Sequence, residues 1–466
     1  MLMAIVFGSI FVTVLGALTG FVLTENRIQS NATAIARATA IAEAGTEYYR
    51  WFLAHYPNDL RNGTGQPGPY TIPYQDPEGG QTGTIKLDIA GNSSCGTVTS
   101  VDIRSTGIPT ESPTVSRTVV ARYARPTVAQ YAYVLNSTVW AGSDRIILGP
   151  YHSNGGIRMD GTANSPVTSS LATWRCDGSF GCSPSQNKPG VWGAGTDQNL
   201  WEYPVPQVDF DGIAADFFAL KTKAQASGRY LGKINGNSNP KNDKYWLGYH
   251  LVFNPSGTVT VYKVTETDDV LAVQINSADE AEGLPDRTLI VSEDFYSTIT
   301  LPSTCALLFV EDNVWIEGTI TQKVTVVSAS PQATKVKTNV MLPGDIRYAA
   351  TDGSDGLTVI AENNILITPD SPQNMTLNGI FVAQGGSFGR NLYSCSSSYE
   401  PRGTLTILGT TVSNTRTGTQ WKNGCGSANA GYQNRIDSFD RKLATDPPPF
   451  TPQTSTDYQF VDWREE

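Results

Sequence analysis

Charge is scarce in this chain. Only 16% of its 466 residues are Asp, Glu, Lys or Arg, and no run of Lys or Arg occurs anywhere. With a formal net charge of −10, it makes a poor partner for a nucleic-acid backbone, which is met by clustered cations. Histidine is rarer still. His55, His152 and His250 are the whole complement, and no CxxC occurs among the six cysteines, so the zinc modules are excluded. Asp209-Phe-Asp211-Gly212 lacks the later ligands of an EF-hand loop, which leaves a helix cap as its reading. Gly385-Gly386-Ser387-Phe388-Gly389 has no Lys-Ser/Thr after it and no βα unit around it, so it reads as a turn rather than a phosphate loop. The N-terminus has no basic n-region ahead of its apolar run, unlike a secretory signal.

What the N-terminus does contain is apolar bulk. MLMAIVFGSIFVTVLGALTGFVLT, residues 1–24, is uncharged, and Glu25 is the first ionisable side chain. As a helix rising about 1.5 Å per residue it spans roughly 36 Å, enough for a hydrocarbon core of about 30 Å. The simplest account is a mature N-terminus from which a basic leader has been cut; an ordinary single-pass anchor is the alternative. Beyond it, Ile28, Ala32, Ile35, Thr39, Ala42, Gly45, Tyr49, Phe52 and Tyr56 recur at steps of three and four, one stripe on a helix. Pro57 ends the pattern. Residues 1–56 are therefore expected to form one helix of roughly 80 Å, greasy all round at first and amphipathic later.

The run Ala36–Leu53, ARATAIAEAGTEYYRWFL, resembles a segment of PilX-like and related type IV pilin-like proteins. There, Ala-Glu-Ala-Gly precedes aromatics and a Leu, which here are Ala42, Glu43, Ala44, Gly45, Tyr48, Tyr49 and Leu53. The resemblance implies cutting by prepilin peptidase, methylation at Met1 and a stage in the inner (cytoplasmic) membrane. It also implies hand-over by pilus assembly machinery to an extracellular helical filament of identical copies. The filament core would be the helix that carries Ile5, Gly16, Gly20 and Glu25. Most major pilins have Glu at the fifth position, where it pairs with a neighbour's terminal amine. Ile5 instead suits a branch lacking that Glu, or a subunit used at a tip.

Residues 57–130 are expected to form a small pilin-like α+β head. Thr84–Ile89, Thr97–Ser105 and Ser116–Tyr123 alternate as strands that cover the upper helix, and RSTG at Arg104–Gly107 resembles PilX-like head strands. From 131 to 435 short apolar runs alternate with Gly, Asn and Asp, without the helical patterns of an α/β fold. Phe253–Thr260, Leu307–Ile320, Lys323–Ser328, Leu357–Thr368, Met375–Ala383 and Thr404–Val412 read as strands. Val310-Glu-Asp-Asn-Val-Trp-Ile316 and Ala361-Glu-Asn-Asn-Ile-Leu-Ile367 echo one another, each placing an Asn (Asn313, Asn364) before an apolar triplet. Stacked turns align such amides along an axis. A right-handed parallel β-helix fits better than a β-sandwich. The fold class is thus α+β to mostly β. LLFVEDNVWIEGTI, TVIAENNILIT and LNGIFVAQGGSFG resemble the β-helical ectodomain of some large bacterial pilin-like proteins. WEYPVPQVDFDGIAADFFALKTKAQASGRYL resembles an insertion in others, with a helix near 209–227 through Phe210, Ile213, Phe217, Leu220 and Ala224, capped by Asp209 or Asp211. Residues 436–466, with Pro447-Pro448-Pro449-Phe450, read as a strap over the end or side of the solenoid.

An even number of cysteines fits an oxidising location. Cys176 and Cys182 flank a short loop that closes easily, and Cys395 and Cys425 flank a strand candidate; whether Cys95 and Cys305 pair stays open. No cofactor or metal is implied. Glu266/Asp268/Asp269 and Asp279/Glu280/Glu282 read as solvated loop charge rather than the converging carboxylates of a β-helix polysaccharide lyase or hydrolase. His152 and His250 read as ordinary hydrogen-bonded residues. Tyr245, Trp246, Tyr249, Trp421 and Tyr432 are stacking candidates for cell-surface glycans, with packing as the competing use. The expected product is a filament subunit; a minor tip adhesin and a membrane-tethered polysaccharide enzyme are the alternatives.

Overall fold

One helix, Leu2–His55, opens the chain. The computed structural model describes residues 2–57, 59–234, 247–274, 285–332 and 337–466, and these divide into two units. The first comprises Met1–Ser93, Val98–Arg125 and Asp457–Glu466; the second comprises Ser94–Thr97 and Pro126–Thr456.

In the first unit the helix buries Ala34, Ala38, Ile41, Ala42, Tyr49, Phe52 and Leu53. This face shares Ala42, Gly45, Tyr49 and Phe52 with the expected stripe, but Ile28 and Tyr56 are more than half exposed. The reason is size. Where the helix comes nearest the sheet it presents Ala38, Ala42 and Gly45, because small residues let two backbones approach. A Cβ added at Gly107 would lie 2.1 Å from the Ala38 carbonyl oxygen, and one at Gly45 would lie 2.2 Å from Ser105 Oγ.

The head sheet has five antiparallel strands rather than three. In order they are Tyr70–Gln75, Gln81–Ser94, Thr97–Pro109, Arg117–Ala124 and Gln459–Glu465. Pro73 sits in an edge strand, where its missing N–H costs nothing. The other edge is supplied by the C-terminus, with Gln459 opposite Ala124 and Trp463 opposite Ala121. The expected strap 436–466 is therefore divided, and its last residues are a head strand. Hydrogen bonding explains this, since Arg117–Ala124 would otherwise present unpaired groups along one side.

The second unit is a stack of parallel strands. One line of pairing runs through Arg229–Leu231, Leu307–Val310, Lys323–Ser328, Gly356–Ala361, Met375–Ala383 and Arg402–Ser413. It then continues through Tyr133–Leu135, Tyr151–Ser153, Val167–Ser169 and Trp201–Glu202. Stack order thus differs from chain order, because the segment 133–202 lies beyond the segment 229–438. Residues 203–228 make the return. They pass Asn154, which accepts from Val208 N (2.9 Å), then Gln384, which accepts from Ala215 N (2.8 Å). Lys221 finally pairs with Glu311 at 2.6 Å. The helix on this return, Phe217–Ala226, starts later than expected and is capped by Asp216, not Asp209 or Asp211. Asp209 instead accepts from Asp211 N and Gly212 N, closing a separate turn.

Asparagines run along the stack. Asn313 Oδ1 accepts from Asn339 N (2.8 Å), Asn339 Oδ1 from Asn364 N and Nδ2 (both 3.1 Å), and Asn364 Oδ1 from Ser387 N (2.9 Å). The two copies of the sequence echo are two layers apart, with Asn339 between them. A second ladder joins Asn414, Asn136 and Asn154 at 2.7 and 2.8 Å. Each amide finds a partner in the adjacent layer, and for the buried Asn313, Asn339 and Asn364 this pins the register.

Phe253–Thr260 is not one strand. Asn254 N donates to Thr258 O and Gly257 N to Asn254 O, a turn between Gly248–Phe253 and Thr258–Gln274. Thr258–Gln274 and Pro285–Thr300 form a long antiparallel hairpin whose far end reaches Tyr393. Beneath it, Trp315 is fully buried and donates its indole N–H to Thr288 O (2.6 Å). The part of the strap before the head strand lies on the stack. Thr325 Oγ1 donates to Pro449 O, Thr358 meets Thr451 at 2.7 Å, and Leu443 joins the core.

Candidate functional site

Nothing in the first unit covers the first half of the helix. Its large apolar side chains from Met3 to Leu23 are 47–77% exposed, Ile5 among them. The surface is unusual in being polar at several positions yet having no free hydroxyl. Ser9 donates to Val6 O (2.9 Å), Thr13 to Ser9 O (2.9 Å) and Ile10 O (2.8 Å), Thr19 to Leu15 O (2.8 Å) and Thr24 to Gly20 O (2.8 Å). A hydroxyl that bonds back to its own helix needs no water, so the segment suits hydrocarbon or a dry helix–helix contact. Length and composition alone make it able to cross a membrane. Around Gly8, Gly16 and Gly20 an added Cβ would meet nothing, so these positions are open notches where another helix backbone can come close. Glu25 closes the segment, holding Gln29 at 3.3 Å. Met1 lies outside the described residues.

The other half of the helix is anchored by polar groups inside the head. Tyr49 donates to Asp59 O (2.8 Å) and Tyr123 to Thr46 O (3.2 Å), and burial raises both phenols well above their ordinary value. On the outer face of the sheet Arg122 grips Asp102 through two bonds, 2.6 and 3.0 Å. These hold the carboxyl below its usual range against the opposing effect of burial.

All six cysteines are paired. Cys176 is joined to Cys182, Cys395 to Cys425, and Cys95 to Cys305 across 210 residues. The glycan candidates do not come together. Tyr249 and Tyr432 are buried, and the indole of Trp421 donates to Arg390 O (3.1 Å). Tyr245 and Trp246 lie outside the described residues, as do Asp279, Glu280 and Glu282. Glu266, Asp268 and Asp269 are exposed on the long hairpin, where Asp269 holds Arg287 at 2.7 Å. Gly386 is confined by the Asn364 amide, and Ser387 continues the ladder, so GGSFG is a turn of the stack.

His250 is more than an ordinary core residue. Its Nδ1 lies 2.8 Å from Glu293 and its Nε2 3.2 Å from Glu317, tying the long hairpin to the strand Asn313–Ile320. Burial alone lowers its pKa, but the contacts with Glu317 and Glu293 outweigh that and raise it above 6.5. The imidazolium therefore stabilises the fold fully below about pH 6.5, and that contribution is lost as pH rises through the folded value. We expect the denaturation midpoint to fall with rising pH in this window, and His250→Gln to flatten the dependence. An unchanged slope in the variant would place the titration elsewhere.

The helix is thus apolar and uncovered in one half, and clasped by a small antiparallel sheet in the other. No family model matches the sequence, and no curated protein sequence does. Among solved structures the chain is similar to the competence-associated pilin ComZ from Thermus thermophilus, at 13% identity over 93% of this chain and 98% of that one, with a TM-score of 0.33.

Proposed function

We propose that this chain is a structural subunit of an extracellular type IV pilus-like filament. The observation that carries the reading is the exposed apolar half of the helix, with its internally satisfied hydroxyls and three open glycine notches. Before assembly this half sits in the inner membrane. In the filament, lipid contact is exchanged for contact with the same half of neighbouring copies, so the helices form the core and the heads pack outside them. Prepilin peptidase matures the subunit, its new amine is methylated, and pilus assembly machinery drives the transfer. Ile5 supplies no carboxylate for a neighbour's amine, so apolar packing alone sets the register here. The parallel stack is a β-helix that decorates the surface and serves adhesion or protection.

The test is to shear filaments from the source cells and identify their protein and its N-terminal peptide by mass spectrometry. The chain is expected as the dominant species, beginning at N-methylated Met1. Leu15→Lys places a charge within the apolar half at a membrane-insertion cost of about 3 kcal/mol, and is expected to cut the subunit inserted and so available for assembly roughly a hundredfold. Recovery only from membranes, with residues upstream of Met1 intact, would sink the filament reading.

A further inference from the structure

The second unit carries a column of alternating cations and indoles on its side. Three parallel strands, Val139–Ala141, Ile157–Met159 and Val191–Trp192, place Trp140, Arg158 and Trp192 in register, each the outward residue of its strand. The Arg158 guanidinium lies 4.0 Å from the Trp140 ring and 5.0 Å from that of Trp192. Asp160 fixes the middle by accepting from Arg158 Nε (2.9 Å) and Trp140 Nε1 (2.8 Å). Two lysines extend the column. Lys422 Nζ sits 4.7 Å from the Trp140 ring and Lys188 Nζ 4.4 Å from that of Trp192. Among the described residues no carboxylate lies within 4.0 Å of either ammonium.

Three cations against one carboxylate leave this strip with two positive charges in excess, on a chain whose net charge is −10. An ammonium resting on an indole is held in place but not neutralised. We propose that this strip binds an acidic polysaccharide, a chain of sugars bearing carboxylates, laid along the axis of the stack. Lys188 and Lys422 take carboxylates, and the indole edges between them take the apolar edges of the sugar rings. Charge density selects this polymer over duplex DNA. DNA presents a charge about every 1.7 Å and needs a dense field of cations, whereas this strip offers two free ammoniums with a neutralised pair between them. The strip holds whether the chain is borne on a filament or anchored singly, so its failure leaves the assembly reading untouched.

The test uses the full chain in neutral detergent and measures binding of polygalacturonate by calorimetry at low salt, with its methyl ester as the uncharged control and duplex DNA at matched charge. The wild type is expected to bind the acid but not the ester. Lys188→Gln/Lys422→Gln, which leaves the Arg158–Asp160 pair intact, is expected to weaken binding about tenfold and to flatten its salt dependence, since the slope counts ion contacts. No binding by the wild type, equal binding of the ester, unchanged binding by the double variant, or tighter binding of DNA would each overturn the proposal.

Discussion

Replacing Glu400 by Leu is expected to lower the stability of the second unit by about 4 kcal/mol, because it strands a buried cation. Arg390 and Glu400 side chains have no exposed area, and they pair at 2.5 Å. The guanidinium also donates to Pro369 O (3.2 Å) and Tyr399 O (2.7 Å), while Glu400 accepts from Gly431 N (2.6 Å). Its face lies 4.7 Å from the Tyr393 ring, whose hydroxyl donates to buried Asp286. The neighbouring Arg402 guanidinium is already depressed by burial and by Arg390, so this region is poorly placed to accept another unpaired charge. Arg390→Met should cost a similar amount. The double variant Arg390→Met/Glu400→Leu should be more stable than either single one, since two apolar groups leave no charge behind, although Gly431 N loses its acceptor. Guanidinium denaturation of the three variants decides it. Additive losses would mean that the two side chains do not interact, which would sink this account.

Gly107→Ala should loosen the head with little effect elsewhere. The added methyl would lie 2.1 Å from Ala38 O and 2.6 Å from Ala42 N, both backbone atoms that cannot swing aside. The helix must move off the sheet, breaking the contacts of Ile41, Tyr49 and Phe52 with Ile85, Val101 and Ile103. Such overpacking costs about 3 kcal/mol when the obstacle is backbone. Amide exchange should quicken in Thr97–Pro109 and Arg117–Ala124 and stay unchanged in Lys323–Ser328. Equal protection in the head would mean that the helix has room to shift.

Much of the architecture could be read locally. The helix Leu2–His55 is legible because an uncharged run of this length followed by an i, i+3, i+4 stripe and Pro57 has few other solutions. Its buried face is less legible, since Ala34, Ala38, Ala42 and Gly45, which lie on it beside Ile41, Tyr49, Phe52 and Leu53, carry little hydrophobic signal. In the candidate site the apolar run announces itself, but the closure of its hydroxyls onto their own helix appears only with backbone geometry in hand. Asn313 and Asn364 stand out by their repeated context. Asn339 escapes notice because Thr-Asn-Val-Met-Leu matches only the end of the echo, yet it is the amide that joins the other two. The cation–indole column had no linear signature, as its members come from 140, 158, 188, 192 and 422.

By itself, the sequence determined what is local: where the chain is apolar enough for lipid, where a helix must stop, which runs alternate as strands, and that a short loop such as 176–182 can close on itself. Tertiary structure alone decided what joins to what. Gln459–Glu465 becomes a head strand because an open edge needs partners. Tyr133–Leu135 stacks on Thr411–Ser413 because each layer must offer its hydrogen bonds to another. Cys95 meets Cys305 across 210 residues because the fold brings them together. Pairing of this kind satisfies groups that every residue possesses, and so it leaves almost no mark on the identity of any one of them.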